Sequence, residues 1–170
     1  MAVKTKTQQA PNADSINIGI SSENRSDIVA LLQQLLADEH LLYMKLRNSH
    51  WNVVGIHFKE LHALFQEHYT QLEPVIDDIA ERIRQLGHFA PGSLQEMLQH
   101  ARLEETGHLD GDATRMLQNL LNDQEMLIQV LRHDVDDTLE KYGDAGTADF
   151  LTTLMEMHEK MAWMIRVHLA

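Results

Sequence analysis

The sequence contains no cysteine and has only three prolines and eight glycines among its 170 residues. The lack of cysteine excludes disulfides, thiolate metal ligands and cysteine nucleophiles, and it fits a reducing compartment. So few prolines and glycines favour long helices over a turn-rich sheet. No apolar run approaches the ~18 residues of a membrane span, and the N-terminus lacks the pattern of a signal peptide. We therefore expect a soluble, cytoplasmic protein without membrane contacts.

Basic residues are also scarce, because 14 lysines and arginines face 26 aspartates and glutamates, for a formal net charge of −12. Such a charge opposes nonspecific attraction to phosphate backbones and anionic membranes, and it attracts cations. Only Lys4 and Lys6 lie within the first 24 residues, where Asp14 and Glu23 offset them. We therefore expect no appreciable DNA binding at neutral pH.

The apolar pattern predicts a flexible N-terminal arm at residues 1–24 and a helical domain at residues 25–170. The first predicted helix begins after an N-cap at Ser26 and ends near His50. In the second, Pro74 predicts a kink near Thr70, since the apolar stripe keeps its phase across the proline. The stripes of these two helices comprise Ile28, Leu31, Leu32, Leu35, Leu42 and Leu46, and then Phe58, Leu61, Phe65, Leu72, Ile76, Ile79, Ile83 and Leu86.

Residues 87–111 form a long connection with a short predicted helix from Ser93 to His100. The third helix is predicted over Asp112–Tyr142 and the fourth over Thr147–His168. A connection of this length allows the second and third helices to run parallel, which is typical of a ferritin-like four-helix bundle. The residues expected to face inward are Leu117, Leu120, Leu121, Leu127, Ile128, Leu131, Val135 and Leu139, followed by Leu151, Leu154, Met161, Met164 and Ile165.

Two histidines and two carboxylates are candidate ligands for a divalent metal such as iron or zinc. His50 and His62 come first, and Asp77 and Glu81 follow at i, i+4 on one helical face. A continuous helix would place His62 roughly 22 Å from Asp77 along its axis. A second, antiparallel copy of the chain would bring the histidines of one copy to the acids of the other. The spacing therefore predicts a site shared within a two-fold dimer.

A metal site inside one bundle would instead use a Glu-x-x-His pair on each of two helices. The chain has Glu105-x-x-His108, but this motif lies in the connection and has no second copy. The sequence therefore favours the subunit interface over the bundle interior.

The motifs His50-Trp51-Asn52, Leu61-His62, Asp77 to Arg82 and Gln85-Leu86-Gly87 together resemble the signature of the Dps family of mini-ferritins. HEKMAWMIR near the C-terminus is similar to that family as well. The resemblance implies a hollow homo-dodecamer that oxidises ferrous iron at two-fold interfaces and stores ferric mineral inside. It also implies hydrogen peroxide as the preferred oxidant over dioxygen, and hence protection against oxidative stress.

The resemblance assigns His50 and His62 to one subunit and Asp77 and Glu81 to its two-fold mate, with Glu81 bridging two irons. Trp51 would lie beside the site and quench stray oxidising equivalents. The family usually has an acidic residue where this chain has Gln66, four positions after His62. The second iron should therefore bind weakly, and zinc should compete at the first position because it carries two imidazoles.

An acidic cluster and a group of methionines can each be interpreted either as a functional site or as ordinary surface or core residues. Asp136 and Glu140, in a cluster with Asp134 and Asp137, resemble the acidic three-fold pores of the family, although a charge run is usually a solvated face. Met155, Met157, Met161 and Met164 are interpreted as adaptable core residues. Two other functions stay open beside iron storage: a nucleoid protein that coats DNA, and a zinc or metal buffer without redox chemistry.

Overall fold

The computed structural model describes residues 8–11, 13–105, 107 and 110–170 and is helical. Within those ranges there is no strand beyond an isolated bridge between Gln9 and His88. A 3-10 turn at Ala13–Ser15 precedes the helices, and a π-helical turn at Asp137–Lys141 follows the fourth. The five helices are α1 at Ser22–Asn52, α2 at Phe58–Gln85, α3 at Leu94–His100, α4 at Ala113–Asp136 and α5 at Ala145–Val167.

Two helix pairs build the bundle, because α1 packs on α2 and α4 packs on α5. Contacts between α1 and α4 join the pairs, and α3 lies against α1. A short loop between α1 and α2 makes them antiparallel neighbours, and α2 continues through Pro74. Side chains from every long helix fill the core, including Ile28, Leu32, Leu42, Phe65, Leu72, Ile79, Leu120, Leu127, Leu151 and Ile165. The predicted ferritin-like bundle with a crossover that carries a short helix is confirmed.

The start of α1 differs from the prediction. The Ser21 side chain caps the helix by accepting from the Asn24 amide at 3.1 Å. Ser26 lies inside the helix, where its hydroxyl donates to the Ser22 carbonyl at 3.0 Å. The predicted N-cap was therefore wrong by five residues, because Ser21 is followed by an acidic first turn that suits a helix start equally well.

Two residues predicted to face inward are exposed instead. Phe58 has 45% of its surface accessible and Leu139 has 50%. Phe58 is the first residue of α2, so no preceding turn covers it. Leu139 lies in the π-helical turn, whose wider winding changes the helical phase. The third helix predicted to reach Tyr142 thus ends as an α-helix at Asp136.

Asp38 fixes the crossover to α1. Its buried carboxylate accepts from the Arg102 amide at 2.6 Å, the Leu103 amide at 2.9 Å and the Arg102 Nε at 2.7 Å. Inside the crossover, α3 begins with a reciprocal capping box between Ser93 and Glu96, as expected for a helix that starts there. These contacts hold α3 beside α1, where it borders the candidate site.

The described part of the predicted arm contacts the far end of α2. The Ala10 amide donates to the Gly87 carbonyl at 2.9 Å, and the Arg25 guanidinium donates to the carbonyls of Ala13, Ile16 and Ile20. Gly87 has φ +93°, and a Cβ there would come within 2.7 Å of the Ile16 side chain. Residues 1–7 and 12 lie outside the described ranges. No described helix combines the length and apolar composition of a membrane span.

Candidate metal centre

His50 and His62 form one compact pair where α1 ends and α2 begins. Nδ1 of His50 lies 2.8 Å from the His62 carbonyl oxygen, and Nδ1 of His62 lies 2.8 Å from the His50 carbonyl oxygen. The rings stack with centroids 3.6 Å apart and an interplanar angle of 22°. Because a carbonyl can only accept, both Nδ1 atoms carry the proton. Both Nε2 atoms are therefore available as lone-pair donors to a metal.

Aromatic and cationic side chains surround this histidine pair. The Tyr69 ring stands edge-on to His50 with centroids 5.3 Å apart, and the Phe58 ring lies 5.1 Å from His62. The Arg47 guanidinium sits 5.1 Å from the Trp51 ring and 4.7 Å from the Tyr69 ring. Trp51 itself exposes 56% of its surface. The pair is thus rigidly packed on its inner side and open on its outer side.

The two candidate carboxylates lie elsewhere on α2. Asp77 and Glu81 are both exposed and share a helical face, and α2 is continuous from Phe58 to Gln85. Fifteen helical residues therefore separate His62 from Asp77 by roughly 22 Å along the axis. Within the described ranges, no three histidine, cysteine or carboxylate side chains come close enough to hold a metal. One chain thus presents a histidine half and an acidic half that do not meet.

Asp77 lines an open groove of about 670 Å³ between α1, α2 and the crossover. Glu73 precedes it by one helical turn, and His40 of α1 lies across the groove. A second groove, of about 630 Å³, begins at His40 and runs between α1 and α3 towards Trp51. The acidic half and the surface around the histidine half are therefore connected along one face.

Gln66 is exposed on α2, one turn after His62. The neighbouring Glu67 is not a free substitute, since its carboxylate accepts a hydrogen bond from the Gln71 amide at 3.2 Å. Within the described chain, no carboxylate on α2 therefore occupies the position that Gln66 leaves neutral.

The acidic cluster at the end of α4 divides into paired and unpaired groups. Asp134 is buried against Arg102, and burial raises the pKa of Asp134 while the guanidinium partly lowers it. Asp137 lies 3.9 Å from both His133 and Lys141. Asp136 and Glu140 are exposed and make no ion pair within the described residues. Any pore function would therefore rest on Asp136 and Glu140.

The four methionines singled out in the sequence all lie on α5 and are buried or partly buried. Met161 is fully buried, whereas Met155, Met157 and Met164 are partly buried against the core. This placement agrees with their interpretation as core residues. Of the motif Glu105-x-x-His108, His108 lies outside the described residues.

A buried polar cluster inside the bundle escaped the sequence analysis. His158 of α5 bonds through Nε2 to the Glu39 carboxylate at 2.8 Å and through Nδ1 to the Gln124 amide oxygen at 2.7 Å. His68 of α2 is also fully buried, and neither of its ring nitrogens has a hydrogen-bond partner. The four residues come from the four long helices. Each keeps the phase of its apolar stripe, for example Glu39 between Leu35 and Leu42, and this phase was the signal available in the sequence.

Burial determines the protonation of His68. Desolvation, with smaller contributions from the nearby His158 and His168, lowers the pKa of His68 to about 4. His68 is therefore neutral at physiological pH, and a proton would be costly inside the bundle.

Comparisons with known proteins agree with this geometry. The model of the ferritin-like domain family matches residues 29–170. A low temperature-induced protein of Nostoc sp. (strain PCC 7120) is 49% identical over 151 residues, 89% of this chain and 84% of that protein. A DNA protection during starvation protein of Helicobacter pylori is 33% identical over 140 residues, 82% of this chain and 96% of that relative.

Solved structures lead to the same family. A Dps protein from Vibrio cholerae O1, described as a member of a broad superfamily of ferritin-like diiron-carboxylate proteins, superposes with a TM-score of 0.85 at 31% identity. That match covers 91% of this chain and 96% of the Vibrio chain. Antigen TpF1 from Treponema pallidum superposes with a TM-score of 0.83 at 30% identity, covering 91% and 98%. The chain therefore belongs to the ferritin-like family and is one of its Dps proteins.

Proposed function

We propose that this protein detoxifies and stores iron as a homo-oligomer, oxidising ferrous ions at sites shared by two subunits. The observation that carries the proposal is the reciprocal hydrogen bonding of His50 and His62, which fixes both rings through Nδ1 and leaves both Nε2 atoms as the available ligand atoms. Histidines held in this way are preorganised ligands rather than incidental surface residues. Membership in the Dps family supports iron as the metal, here a substrate rather than a resident cofactor.

The histidine half requires the acidic half of another subunit. We propose an isologous pairing about a two-fold axis in which His62 of one copy lies opposite Asp77 and Glu81 of the other. Two imidazoles and two carboxylates would then surround a site for two ferrous ions. The negative charge of the carboxylates would offset the mutual repulsion of the two dications. Glu81 is the residue proposed to bridge them. Trp51 lies one residue after His50, where it could supply an electron to a stray oxidant.

An apolar surface is available for this pairing. Met44, Trp51, Leu94 and Leu98 are each more than half exposed, and all four line the groove between α1 and α3. A monomer seldom leaves so many large apolar side chains along one groove without a partner. The second copy would cover this groove and the neighbouring acidic groove together. We propose that six such dimers assemble into the cytoplasmic dodecamer that the family resemblance implies.

The chemistry follows from charge and oxidant balance. Each ferrous ion gives up one electron, so one hydrogen peroxide takes two electrons from two ferrous ions and two protons from solvent and is reduced to two water molecules. Consuming peroxide and ferrous iron together prevents hydroxyl-radical formation, which is the proposed protection against oxidative stress. Dioxygen is the slower oxidant in this proposal. The acidic residues Asp136 and Glu140 would admit iron through a three-fold pore.

The experiment measures ferrous oxidation by the metal-free protein with peroxide or dioxygen, followed by sedimentation of the product. Wild-type protein should consume about two ferrous ions per peroxide and hold ferric mineral in a particle that sediments with the protein. The double variant His50→Ala, His62→Ala should lose the rapid oxidation of ferrous iron that the shared site catalyses. Zinc should inhibit oxidation at the same site. Tight zinc binding without any acceleration of iron oxidation would instead support a metal buffer.

A further inference from the structure

Two tyrosine rings continue from the histidine pair along the contact between α1 and α2. The Tyr69 ring stands edge-on to His50, with centroids 5.3 Å apart, and edge-on to Tyr43, with centroids 5.9 Å apart. Both tyrosines are half-buried, whereas Trp51 exposes 56% of its surface. These separations are those of aromatic rings in direct contact. The candidate ligand His50 is therefore connected ring by ring to Tyr43.

Arg47 contacts both tyrosines and the tryptophan. Its guanidinium carbon lies 5.6 Å from the ring centroid of Tyr43, 5.1 Å from that of Trp51 and 4.7 Å from that of Tyr69. One of its terminal nitrogens also donates to the Tyr43 hydroxyl oxygen at 2.9 Å. Cation–π contacts with the three rings and this hydrogen bond together hold the guanidinium in place.

The positive charge of Arg47 affects the two kinds of ring differently. An indole that loses an electron first becomes a radical cation, and a guanidinium 5.1 Å from the Trp51 ring makes that second positive charge more costly. A tyrosine loses its hydroxyl proton with the electron and becomes a neutral radical, which the same charge does not oppose. The radical oxygen of Tyr43 can only accept, so the hydrogen bond from Arg47 persists after oxidation. Arg47 therefore favours electron loss from Tyr43 over Trp51.

Gln66 makes such an electron donor useful. Its neutral amide is expected to weaken the second iron position, so the shared site will often hold a single ferrous ion. One ferrous ion supplies one electron, whereas the reduction of hydrogen peroxide to water takes two. The second electron must then come from the protein if hydroxyl radical is not to escape.

We propose that Tyr43 supplies this second electron through Tyr69, and that Arg47 is the positioning residue that selects Tyr43; this inference rests on the proposed shared site. The ferrous ion gives one electron to hydrogen peroxide and the O–O bond breaks, which leaves hydroxide and a hydroxyl radical. Tyr69 passes an electron and its hydroxyl proton to that radical, which becomes water. Tyr43 then returns an electron to Tyr69, while the proton of Tyr43 leaves to solvent and Tyr69 takes one up.

The step balances with one tyrosine oxidised. One ferrous ion, one hydrogen peroxide and one tyrosine become one ferric ion, one hydroxide, one water and one neutral tyrosyl radical. A later ferrous ion and a proton from solvent restore the tyrosine. The whole cycle still consumes two ferrous ions for each peroxide.

The test loads the metal-free oligomer anaerobically with one ferrous ion per shared site, adds one equivalent of hydrogen peroxide and records the electron paramagnetic resonance spectrum after rapid freezing. Wild-type protein should give a tyrosyl radical, and excess ferrous iron should diminish it because iron then supplies both electrons. Tyr69→Phe should lose this signal. Tyr43→Phe should abolish the wild-type hyperfine pattern, which depends on the ring that holds the radical. The chain has three tyrosines, and Tyr142→Phe, which changes the one outside this group, is the matched control and should keep the pattern.

A second set of variants tests the selection by Arg47. Arg47→Gln removes the positive charge and should move the radical to tryptophan, so that ring-deuterated tryptophan changes the spectrum. Arg47→Lys retains the charge and should retain the tyrosyl radical. Trp51→Phe should leave the wild-type spectrum as it is. A tryptophan radical in wild-type protein, or an unchanged tyrosyl radical in Arg47→Gln, would overturn this role of Arg47.

The outcomes separate the relay from the proposed function. If rapid iron oxidation requires His50 and His62 but wild-type protein forms no tyrosyl radical, the relay is wrong and the shared site stands. The wild-type hyperfine pattern surviving in Tyr43→Phe would also overturn the relay alone. If iron oxidation does not require the two histidines, the shared site is wrong and the relay is wrong with it.

Discussion

Glu39 and His158 are 119 residues apart in the sequence, yet a 2.8 Å hydrogen bond joins them where neither side chain exposes any surface. The second oxygen of Glu39 has no hydrogen-bond partner within the described residues. This bond links the first helix to the last through the centre of the bundle, so removing one member alone leaves the other buried without its partner.

We predict that His158→Leu destabilises the protein by roughly 3–5 kcal/mol, because it leaves the buried Glu39 carboxyl group without the histidine to which it is hydrogen-bonded. Glu39→Met combined with His158→Leu should recover much of that loss, since the double variant buries two apolar side chains instead. Thermal unfolding at fixed protein concentration measures both. Equal losses in the single and double variants would show that the pair contributes through packing alone.

A second prediction concerns acid stability. His68 has a pKa of about 4 in the folded chain against 6.5 for an ordinary histidine. Below pH 6.5 the unfolded chain takes up a proton at His68 that the folded chain excludes. The free energy of unfolding should therefore be unaffected by His68 above pH 6.5 and should fall by roughly 3 kcal/mol in total as the pH drops towards 4.

His68→Leu should therefore make stability less sensitive to pH within that window. Urea unfolding of both proteins at pH 7 and pH 5 gives the comparison, at one protein concentration because assembly affects apparent stability. Identical differences between the two pH values in wild type and variant would contradict a neutral buried His68.

We further predict that the protein does not retain duplex DNA at sub-micromolar concentration near physiological salt and neutral pH. The net charge is −12, and phosphate contacts need cations, of which the N-terminal arm holds only Lys4 and Lys6. The matched control adds lysines to the arm through Thr5→Lys, Thr7→Lys, Gln8→Lys and Gln9→Lys, and it should gain salt-sensitive binding in a gel shift. Strong retention of the wild type would favour the nucleoid function.

The pore proposal predicts that Asp136→Asn with Glu140→Gln slows iron uptake several-fold at low ionic strength and less at high salt. A stopped-flow record of mineral growth measures this rate. Glu23→Gln with Asp149→Asn removes the same charge from other exposed positions and should have little effect. Equal rates in all three proteins would leave Asp136 and Glu140 as solvated surface.

The helices and their order could be predicted because their apolar stripes are long and regular, as in Leu32 to Leu46. The predictions that were wrong concern helix ends, where local features that the apolar stripe does not record determine the structure. Ser21 and Ser26 are equivalent caps by composition, and the π-helical turn that exposes Leu139 leaves no mark in the stripe. Phe58 fits the apolar stripe of the second helix by its angle, but it is exposed because it is the first residue of that helix.

The candidate site was only partly predictable for a different reason. His50 and His62 are twelve residues apart and meet across one loop, so their spacing was informative. Tyr43 and Tyr69, which extend from the site, lie on different helices, and only the packing of α1 on α2 brings their ring centroids to 5.9 Å. The contacts of Glu39 with His158 likewise depend on the whole bundle. Partners distant in sequence leave no periodic signal.

The shared site is tested most directly by mixing two inactive subunits. One carries His50→Ala and His62→Ala, the other Asp77→Asn and Glu81→Gln, and distinct affinity tags allow purification of oligomers that contain both. Random pairing leaves half of the dimers mixed with one intact site each, so iron oxidation should return to about a quarter of the wild-type rate. Oligomers of either variant alone should be inactive. Mixed oligomers as inactive as their parents would contradict a site shared between subunits.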